Sequence, residues 1–295
     1  MKKRKQERER TRRRREERLQ AQASHAPDSS RRSPGRRLAP LLGVGLVVVA
    51  VLVLTALRLR AGDIPVDGYR IRDRHPHDPR AFCQGLLYHD GALYESTGRT
   101  SELRRVDPKT GKVLASVALP AGLFGEGLTL FEDRLIQLTW KAGRAFVYDV
   151  ETLRRVGEFR YLGEGWGLTH DGRHLIMSNG TATLSFRDPQ TFEQVRTVEV
   201  RVEDRPVREL NELEYVNGVI YANVWHSDRI ARIDPKSGKV LGWIDLKGLL
   251  RPGMVTDPDA VLNGIAYDAD ESRLLVTGKL WPWLYWIEVV PRKSD

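Results

Sequence analysis

The stretch that decides the fold is residues 82–98, FCQGLLYHDGALYESTG, because four further segments repeat its pattern. Each copy has two short runs of β-branched, aromatic and leucine residues separated by a turn, such as Asp-Gly at 90–91 or Asn-Gly at 217–218. Those dipeptides between apolar runs predict β-hairpins. The other copies are FGEGLTLFEDRLIQLTWK at 124–141, GEGWGLTHDGRHLIMSNG at 163–180, ELNELEYVNGVIYANVWHSD at 209–228 and LNGIAYDADESRLLVTGK at 262–279.

A second strand–turn–strand pattern separates the copies, as in RRVDPKTGKVLASVAL at 104–119. Two hairpins make a four-stranded unit, and equivalent positions lie 42, 40, 45 and 52 residues apart. That period is typical of propeller blades. No stretch after residue 60 has the 3.6-residue apolar period of a helix. The sequence therefore predicts an all-β, five-bladed β-propeller, whose last repeat closes the ring with strands near residues 67–73.

Two positions vary while the apolar frame of the repeat is kept. The first lies just before the apolar run of the first strand of each copy, which is the strand that lines the channel in a propeller. The second ends the following strand. We expect both sets near one mouth of the channel, where an acid, an ammonium and several indoles favour a composite site over inert, mutually satisfied polar groups. The first set is Gln84, Glu126, Trp166, Asn211 and Asn263, and the second is Gly98, Trp140, Gly180, Trp225 and Lys279.

The positive charge of the chain is concentrated in its first residues. Residues 1–37 hold 15 Lys/Arg against 5 Asp/Glu, an excess larger than the formal net charge of +9 for all 295 residues. The part after residue 60 is therefore slightly acidic, which argues against nucleic acid as a partner of the folded domain. We interpret residues 1–37 as a disordered, basic cytoplasmic tail.

Residues 38–57, LAPLLGVGLVVVAVLVLTAL, are apolar and uncharged. About 20 such residues suffice to cross a bilayer, and the arginines before them predict a cytoplasmic N-terminus. A cleaved signal peptide is the alternative, but its apolar core is usually about 7–15 residues long and is followed by a small-residue cleavage site. We expect a single transmembrane signal anchor, a linker over 58–65 and an extracytoplasmic (periplasmic or extracellular) propeller over 66–292.

Other site chemistries fit the sequence poorly. The seven histidines form no zinc-ligand motif, and neither a P-loop nor a nucleophile elbow is present. The single cysteine, Cys83, excludes an intrachain disulfide and is expected to be a buried small hydrophobe. Glu212 and Glu214 in LNELE suggest the carboxylate pair of a glycoside hydrolase, which we rank low. The possibility of a structural cation in the channel, such as calcium, stays open.

The repeats resemble, in order and over about residues 66–290, the plant-type glutaminyl-peptide cyclotransferases. The matching segments are HPHDPRAFCQGLLY, LFGEGLTL, LTWKAGRAFVYD, GEGWGLTHDG, LNELEYVNGVIYANVW and VLNGIAYD with TGKLWP. The resemblance implies a five-bladed propeller that converts the N-terminal glutaminyl residue of peptides or proteins to pyroglutamyl and releases ammonia. It also implies that no metal or other cofactor is required.

Carried over by motif, the resemblance implies Glu126 as the general acid/base and Gln84, Asn211 and Lys279 as polar site residues. The chemistry agrees, because the attacking α-amine has a pKa near 7.7–8.0 and must lose a proton, and Glu126 is the one carboxylate at the first variable position. Any of Lys279, Asn211 and Gln84 could donate to the developing oxyanion. The implied aromatic wall is Phe82, Phe124, Trp140, Trp166 and Trp225.

Two departures from the family pattern and one alternative function remain. Cys83 stands where a hydroxyl residue such as threonine is expected, and ESTGRTSELRRVD at 95–107 is shorter than the usual loop, which would reshape the rim of the site.

The alternative function is a membrane-anchored propeller that binds a peptide or carbohydrate without turnover. Such a module needs aromatic platforms but not a lone acid facing a lone ammonium, so we favour the enzyme.

Overall fold

Residues 64–291 are described by a computed structural model, and every regular element among them is a β-strand. The predicted all-β fold is therefore confirmed for this range. Within it, no helix that could span a membrane occurs. The predicted tail (1–37), anchor (38–57) and most of the linker (58–65) lie outside the described residues.

Three four-stranded antiparallel sheets follow one another, each with its strands in chain order. Each sheet consists of two consecutive hairpins, as the repeat predicts. The first contains β2 (Cys83–His89), β3 (Ala92–Thr97), β4 (Glu102–Val106) and β5 (Val113–Ala118), the second β6 (Gly125–Phe131), β7 (Arg134–Thr139), β8 (Arg144–Asp149) and β9 (Arg155–Arg160), and the third β10 (Leu168–His170), β11 (Leu175–Met177), β12 (Thr183–Arg187) and β13 (Gln194–Glu199).

An eight-stranded sheet contains two further arrays of four antiparallel strands. The first strand of the chain, β1 (Val66–Pro76), runs antiparallel to the last, β22 (Trp283–Val290), and also makes a short parallel pairing with β19 (Val240–Asp245). The N-terminal strand thus completes the last array, as expected. The fourth array is β16 (Leu210–Val216), β17 (Val219–Val224), β18 (Arg229–Ile233) and β19 (Val240–Asp245), and the fifth is β20 (Leu262–Asp268), β21 (Arg273–Gly278), β22 (Trp283–Val290) and β1 (Val66–Pro76), while β14 (Arg201–Val202) and β15 (Arg205–Pro206) form a small separate hairpin.

The β2–β3 and β16–β17 hairpins turn at the dipeptides that the sequence singled out. Asp90 and Gly91 have φ of 48° and 77°, and Asn217 and Gly218 have φ of 48° and 89°. Two successive positive φ values are those of a type I′ turn, whose twist matches that of the flanking strands. The local sequence is therefore sufficient to specify these two hairpins.

Five hydrophobic cores lie between neighbouring arrays and close a ring. The first strands also contact one another in the cyclic order β2, β6, β10, β16, β20 and back to β2. The starts of these strands therefore meet around a common centre. In order around the ring, the cores include Leu103 with Leu135, Leu138 with Leu175, Phe186 with Leu213, Ile230 with Ile265, and Leu275 with Leu86.

Candidate active site

Four of the five first strands carry a β-bulge at the first variable position of the repeat. The register shifts between Cys83 and Gly85, between Gly125 and Leu128, and at the corresponding points of β16 and β20. A bulge adds an unpaired residue and re-aims its side chain. In the third copy Trp166 precedes the short strand β10. The bulged residues are Gln84, Glu126, Asn211 and Asn263.

Glycine after the variable residue lets neighbouring first strands approach at backbone distance. A Cβ at Gly127 would lie 2.5 Å from the amide nitrogen of Leu168, and one at Gly167 would lie 2.0 Å from the carbonyl oxygen of Asn211. Side chains at these positions are therefore excluded by the backbone of the next array. The close approach brings the bulged side chains of different arrays within reach of one another.

Glu126 is held by a hydrogen-bond chain that crosses three arrays. Gln84 donates from Nε2 to Glu126 Oε1 at 2.7 Å. Asn263 donates from Nδ2 to Gln84 Oε1 at 3.2 Å and to the Cys83 carbonyl oxygen at 2.9 Å. Each of the three side chains is at most 4% exposed. The amide of Gln84 is thus fixed at both ends, and it orients the carboxylate of Glu126.

Burial shifts the titration of Glu126 and Lys279 toward their neutral forms. Removal from water raises the pKa of Glu126 well above its ordinary value, although the charge of Lys279 opposes this rise and that of Glu164 adds to it. Burial likewise lowers the pKa of Lys279, opposed by Glu126. A buried carboxylate with a raised pKa next to an ammonium is a candidate general acid/base.

Lys279 lies in the segment between β21 and β22, at the second variable position. Its backbone amide donates to the carbonyl oxygen of Val261, and its ammonium lies 5.0 Å from the centre of the Phe82 ring. Trp281 fixes the same segment by donating its indole N–H to Ala260 at 3.1 Å. Lys279 is only 4% exposed, so its side chain is shielded from bulk solvent.

The predicted aromatic wall consists of two groups of rings, and the rings within each group contact one another. Phe124 packs on Phe82 with ring centres 6.0 Å apart, and on Trp140 at 5.7 Å. Trp166 meets Trp225 edge to face at 5.8 Å. All five predicted wall residues therefore contact another member of the wall. Trp166 is at the first variable position, Trp140 and Trp225 are at the second, and Phe82 and Phe124 precede the first by two residues.

Asn211 sits on the bulge of β16 and is 2% exposed. Its backbone carbonyl accepts a hydrogen bond from Ser178 Oγ at 2.7 Å. Its side-chain Oδ1 is buried and accepts no hydrogen bond from the residues that the structure describes. Buried amide oxygens are seldom left without a partner, so this atom is available to a bound molecule.

Two acidic features near the site were missed by the sequence analysis. Glu164 Oε2 accepts the indole N–H of both Trp140, at 2.7 Å, and Trp166, at 2.9 Å. Glu164 stands two residues before the variable position, where the first two copies have Phe82 and Phe124. This exchange of an aromatic residue for an acid was the available signal.

The second missed feature is an ionic contact at the rim. Arg99 binds Asp257 at 2.6 Å and Asp259 at 3.1 Å, and its guanidinium lies 4.4 Å from the centre of the Phe82 ring. Arg99 belongs to the loop that the sequence analysis identified as unusually short. The contact joins that loop to the segment before β20, but nothing in the sequence pairs residues so far apart.

The carboxylates of Glu212 and Glu214 accept hydrogen bonds from backbone N–H groups. Glu212 is fully buried and accepts the backbone N–H groups of Leu86 at 3.3 Å and Ile265 at 2.8 Å. Glu214 accepts the backbone N–H of Tyr267 at 3.0 Å. Burial raises the pKa of Glu212 well above its ordinary value and that of Glu214 to about 8. Both carboxylates thus bind the backbone of neighbouring first strands.

No metal centre emerges from the part of the chain that the structure describes. Within residues 64–291, no group of three or more His, Cys, Asp or Glu side chains has the geometry to hold a metal ion. The buried His77 instead pairs with Glu95 at 2.9 Å and with the carbonyl oxygen of Trp281 at 2.7 Å. Cys83 is buried, as expected for a small apolar residue.

Comparison with known proteins shows the family of this chain. The family model described as glutamine cyclotransferase matches residues 46–289. A glutaminyl-peptide cyclotransferase of Arabidopsis thaliana is 50% identical over 222 residues, which are 72% of this chain and 69% of the relative. The crystal structure of Myxococcus xanthus glutaminyl cyclase is 40% identical, with a TM-score of 0.76, and the match covers 78% of this chain and 100% of that one. The protein described by this sequence belongs to the glutamine cyclotransferase family.

Proposed function

We propose that this protein is a glutaminyl-peptide cyclotransferase, an acyltransferase that converts an N-terminal glutaminyl residue of a peptide or protein to pyroglutamyl with release of ammonia. The observation that carries the proposal is the buried Glu126, oriented by Gln84 and facing Lys279 beside an aromatic wall. Family membership supports the same reaction. The arrangement supplies an acid/base, a cation and a water-excluding surface at one place.

Glu126 acts as the proton carrier of the reaction. Its carboxylate takes a proton from the substrate's α-ammonium, and the free amine attacks the side-chain amide carbon to form the five-membered ring. Glu126 then delivers that proton to the leaving nitrogen and takes one from the ring nitrogen. The carbon–nitrogen bond breaks, and ammonia leaves with the second proton as ammonium. A positioned acid/base of this kind typically contributes about 10²–10⁴-fold.

Lys279 is the residue we assign to the oxyanion. The amide of Gln84 is held by Glu126 on one side and Asn263 on the other, so its role is to orient the carboxylate. The Lys279 ammonium has no comparable hydrogen-bond engagement among the described residues and is directed into the site. A cation there stabilises the negative charge that develops on the amide oxygen. Asn211, with its free Oδ1, is assigned to the substrate's N–H donors.

The aromatic wall folds the substrate and excludes water. The reaction is already intramolecular, so the enzyme must bend the glutamine side chain onto its own α-amine instead of bringing two molecules together. Rings at Phe82, Phe124, Trp140, Trp166 and Trp225 offer apolar faces for the methylene groups. An indole face also attracts the α-ammonium before it loses its proton.

We further propose that the five arrays are the blades of a propeller tethered to a membrane by residues 38–57. The cyclic order of the five cores and the closing pair β1–β22 support the five-bladed arrangement. The basic residues before the apolar segment support a cytoplasmic N-terminus and an extracytoplasmic catalytic domain. Protease digestion of spheroplasts, before and after lysis of the inner membrane, measures the location, because an extracytoplasmic domain is degraded before lysis and a cytoplasmic one only after it.

The test of the reaction uses the full-length chain in detergent with a Gln-initiated peptide. Ammonia release and the loss of one ammonia mass from the peptide are followed with and without EDTA. The N-acetylated peptide is the substrate control because its nitrogen cannot attack. We expect turnover that persists in EDTA and is absent with the blocked peptide, with no requirement for calcium or any other cofactor.

A folded wild-type protein that binds the peptide but releases no ammonia would contradict the proposed function. That result would favour the membrane-anchored binding module. Activity that disappears in EDTA and returns with one added metal would retain the reaction but overturn its independence of cofactors.

A further inference from the structure

Glu164 connects the two groups of the aromatic wall. One carboxylate oxygen, Oε2, receives both indole N–H groups, from Trp140 at 2.7 Å and from Trp166 at 2.9 Å. Trp140 belongs to the group that contains Phe124, and Trp166 to the group that contains Trp225. Glu164 thus joins rings from the second, third and fourth arrays into one surface.

The fold does not require an acid at this position. In other copies the backbone carbonyl of the equivalent residue accepts the amide of the second variable residue, as Phe124 does for Trp140 and Val261 for Lys279. That bond is independent of the side chain, which is Phe82, Phe124, Glu209 or Val261 in the other copies. The carboxylate of Glu164 is therefore explained by its contacts in the site and not by the repeat.

The hydrogen bonds of Glu164 order the rings more than they stabilise the domain. Its side chain is 39% exposed, and its Oε1 lies 3.8 Å from the ammonium of Lys141, which is itself exposed. Exposed ion pairs of this kind contribute little to the stability of a folded domain. Two indole donors on one oxygen, however, fix the planes of two large rings relative to each other.

The charge of Glu164 also acts on the reacting carboxylate. The groups that interact electrostatically with Glu126 are Lys279 from the segment after β21, Glu164, and Tyr161, whose hydroxyl donates to the backbone carbonyl of Thr139. Of these, Lys279 lowers the pKa of Glu126 and Glu164 raises it. The same negative charge attracts a cationic α-ammonium toward the wall.

We propose that Glu164 is a positioning residue for the cyclisation: it holds the indoles of Trp140 and Trp166 as one surface that receives the N-terminal glutamine with its α-ammonium. The inference rests on the proposed function and deepens it, because it selects substrates with a free, cationic N-terminus. Glu164 touches the two indoles and not the reacting atoms, so its effect passes through the wall and through its charge.

Two substitutions separate hydrogen bonding from charge. Glu164→Gln retains one carbonyl oxygen that accepts both indole N–H groups but removes the charge, whereas Glu164→Leu removes both. Glu158→Gln is the matched control, because Glu158 on β9 forms a partly exposed ion pair with Arg144 on β8. The full-length chain is assayed with a Gln-initiated peptide for kcat, KM and the pH dependence of kcat/KM, and near-ultraviolet circular dichroism reports the tryptophan environment.

We expect Glu164→Leu to raise KM roughly tenfold or more, to lower kcat less, and to change the tryptophan dichroism while thermal unfolding stays close to wild type. Glu164→Gln should recover the dichroism and most of kcat, keep a raised KM, and move the acid limb of kcat/KM to lower pH. That direction follows because loss of a negative neighbour lowers the pKa of Glu126. Glu158→Gln should match wild type.

Three results would overturn the inference. The first is a Glu164→Leu variant whose kcat/KM stays within about twofold of wild type. The second is equal loss in both variants that follows a fall in thermal stability, which would indicate a purely structural role. The third is a wild-type chain without turnover, which removes the proposed function and this inference together, whereas the first two leave the proposed function intact.

Discussion

Glu126 and Glu212 are both buried carboxylates within the bulged start of a first strand, yet their partners differ in kind. Glu126 receives one hydrogen bond from a side-chain amide and faces a side-chain ammonium. Glu212, the residue after Asn211, receives two backbone N–H groups from β2 and β20. It occupies the position at which the other four copies have glycine.

The difference separates a reactive acid from a structural one. Burial raises the pKa of both groups, so the pKa direction alone does not distinguish them. Backbone donors are fixed by the sheet and cannot be exchanged for a substrate. Side-chain partners leave capacity for one, because Glu126 has a second oxygen and Lys279 can redirect its donors. The partner set, not the burial, therefore supports the proposed role of Glu126 as the acid/base.

The largest expected effect tests this contrast at Glu126. Glu126→Gln keeps the size and an oxygen acceptor but removes the proton carrier, so kcat should fall by about 10²–10⁴-fold. The thermal unfolding temperature should change little or rise, because a buried ionisable group becomes a neutral amide. Steady-state ammonia release and calorimetry on the same samples measure both quantities. A variant with near wild-type kcat would transfer the acid/base role to another residue.

The next largest loss of kcat is expected for Lys279→Met, which removes the cation that acts on Glu126. Loss of an oxyanion donor costs on the order of 10²–10³-fold in kcat in other enzymes. The pH profile gives a second readout. Lys279 lowers the pKa of Glu126, so its removal should raise that pKa further and move the acid limb of kcat/KM to higher pH. This shift is opposite to the one expected for Glu164→Gln. An acid limb that does not move would mean that Lys279 does not affect the pKa of Glu126.

The fold was predictable from sequence where the signals were local. Asp-Gly and Asn-Gly between apolar runs specify hairpins because those residues tolerate positive φ, and the period of the repeat groups the hairpins into fours. The short strands β10 and β11 and the small hairpin β14–β15 were not anticipated. Their lengths depend on packing against neighbouring arrays, which no single segment encodes.

The candidate site was predictable to the level of which positions converge. Alignment of the copies placed Gln84, Glu126 and Lys279 together, because equivalent residues of a cyclic repeat must meet. It did not separate the roles of the polar residues, since that depends on the bond from Gln84 to Glu126. Asn263 was aligned but not assigned to the site, and Glu164 was overlooked, because Asn263 bonds to Gln84 and Glu164 to Trp140, each on another array.

A smaller effect tests the structural member of the pair. Glu212→Gln replaces one accepting oxygen with an amide NH₂ that faces a backbone N–H, so one buried donor loses its partner. Such a loss costs about 1–3 kcal/mol in the free energy of unfolding. Turnover per folded molecule should stay close to wild type. Chemical denaturation and active-site-normalised kinetics measure the two quantities. Loss of turnover without loss of stability would give Glu212 a role in the reaction and would contradict its assignment as the structural carboxylate.

The smallest effect concerns Glu214 and depends on pH. Its pKa is raised to about 8 by burial, so the folded state holds a proton that the unfolded state releases near pH 4.5. The unfolded state therefore binds fewer protons between these values, and the free energy of unfolding falls as pH rises from about 4.5 to 8. Glu214→Gln removes this contribution while keeping an oxygen for the N–H of Tyr267. Because Glu214 is only partly buried and Glu212 titrates beside it, we expect a gain of about 1–2 kcal/mol at pH 8 and little change at pH 5. Equal stability differences at the two pH values would mean that Glu214 is already ionised in the folded protein, and its contact with β20 would then be an ordinary charge-assisted hydrogen bond.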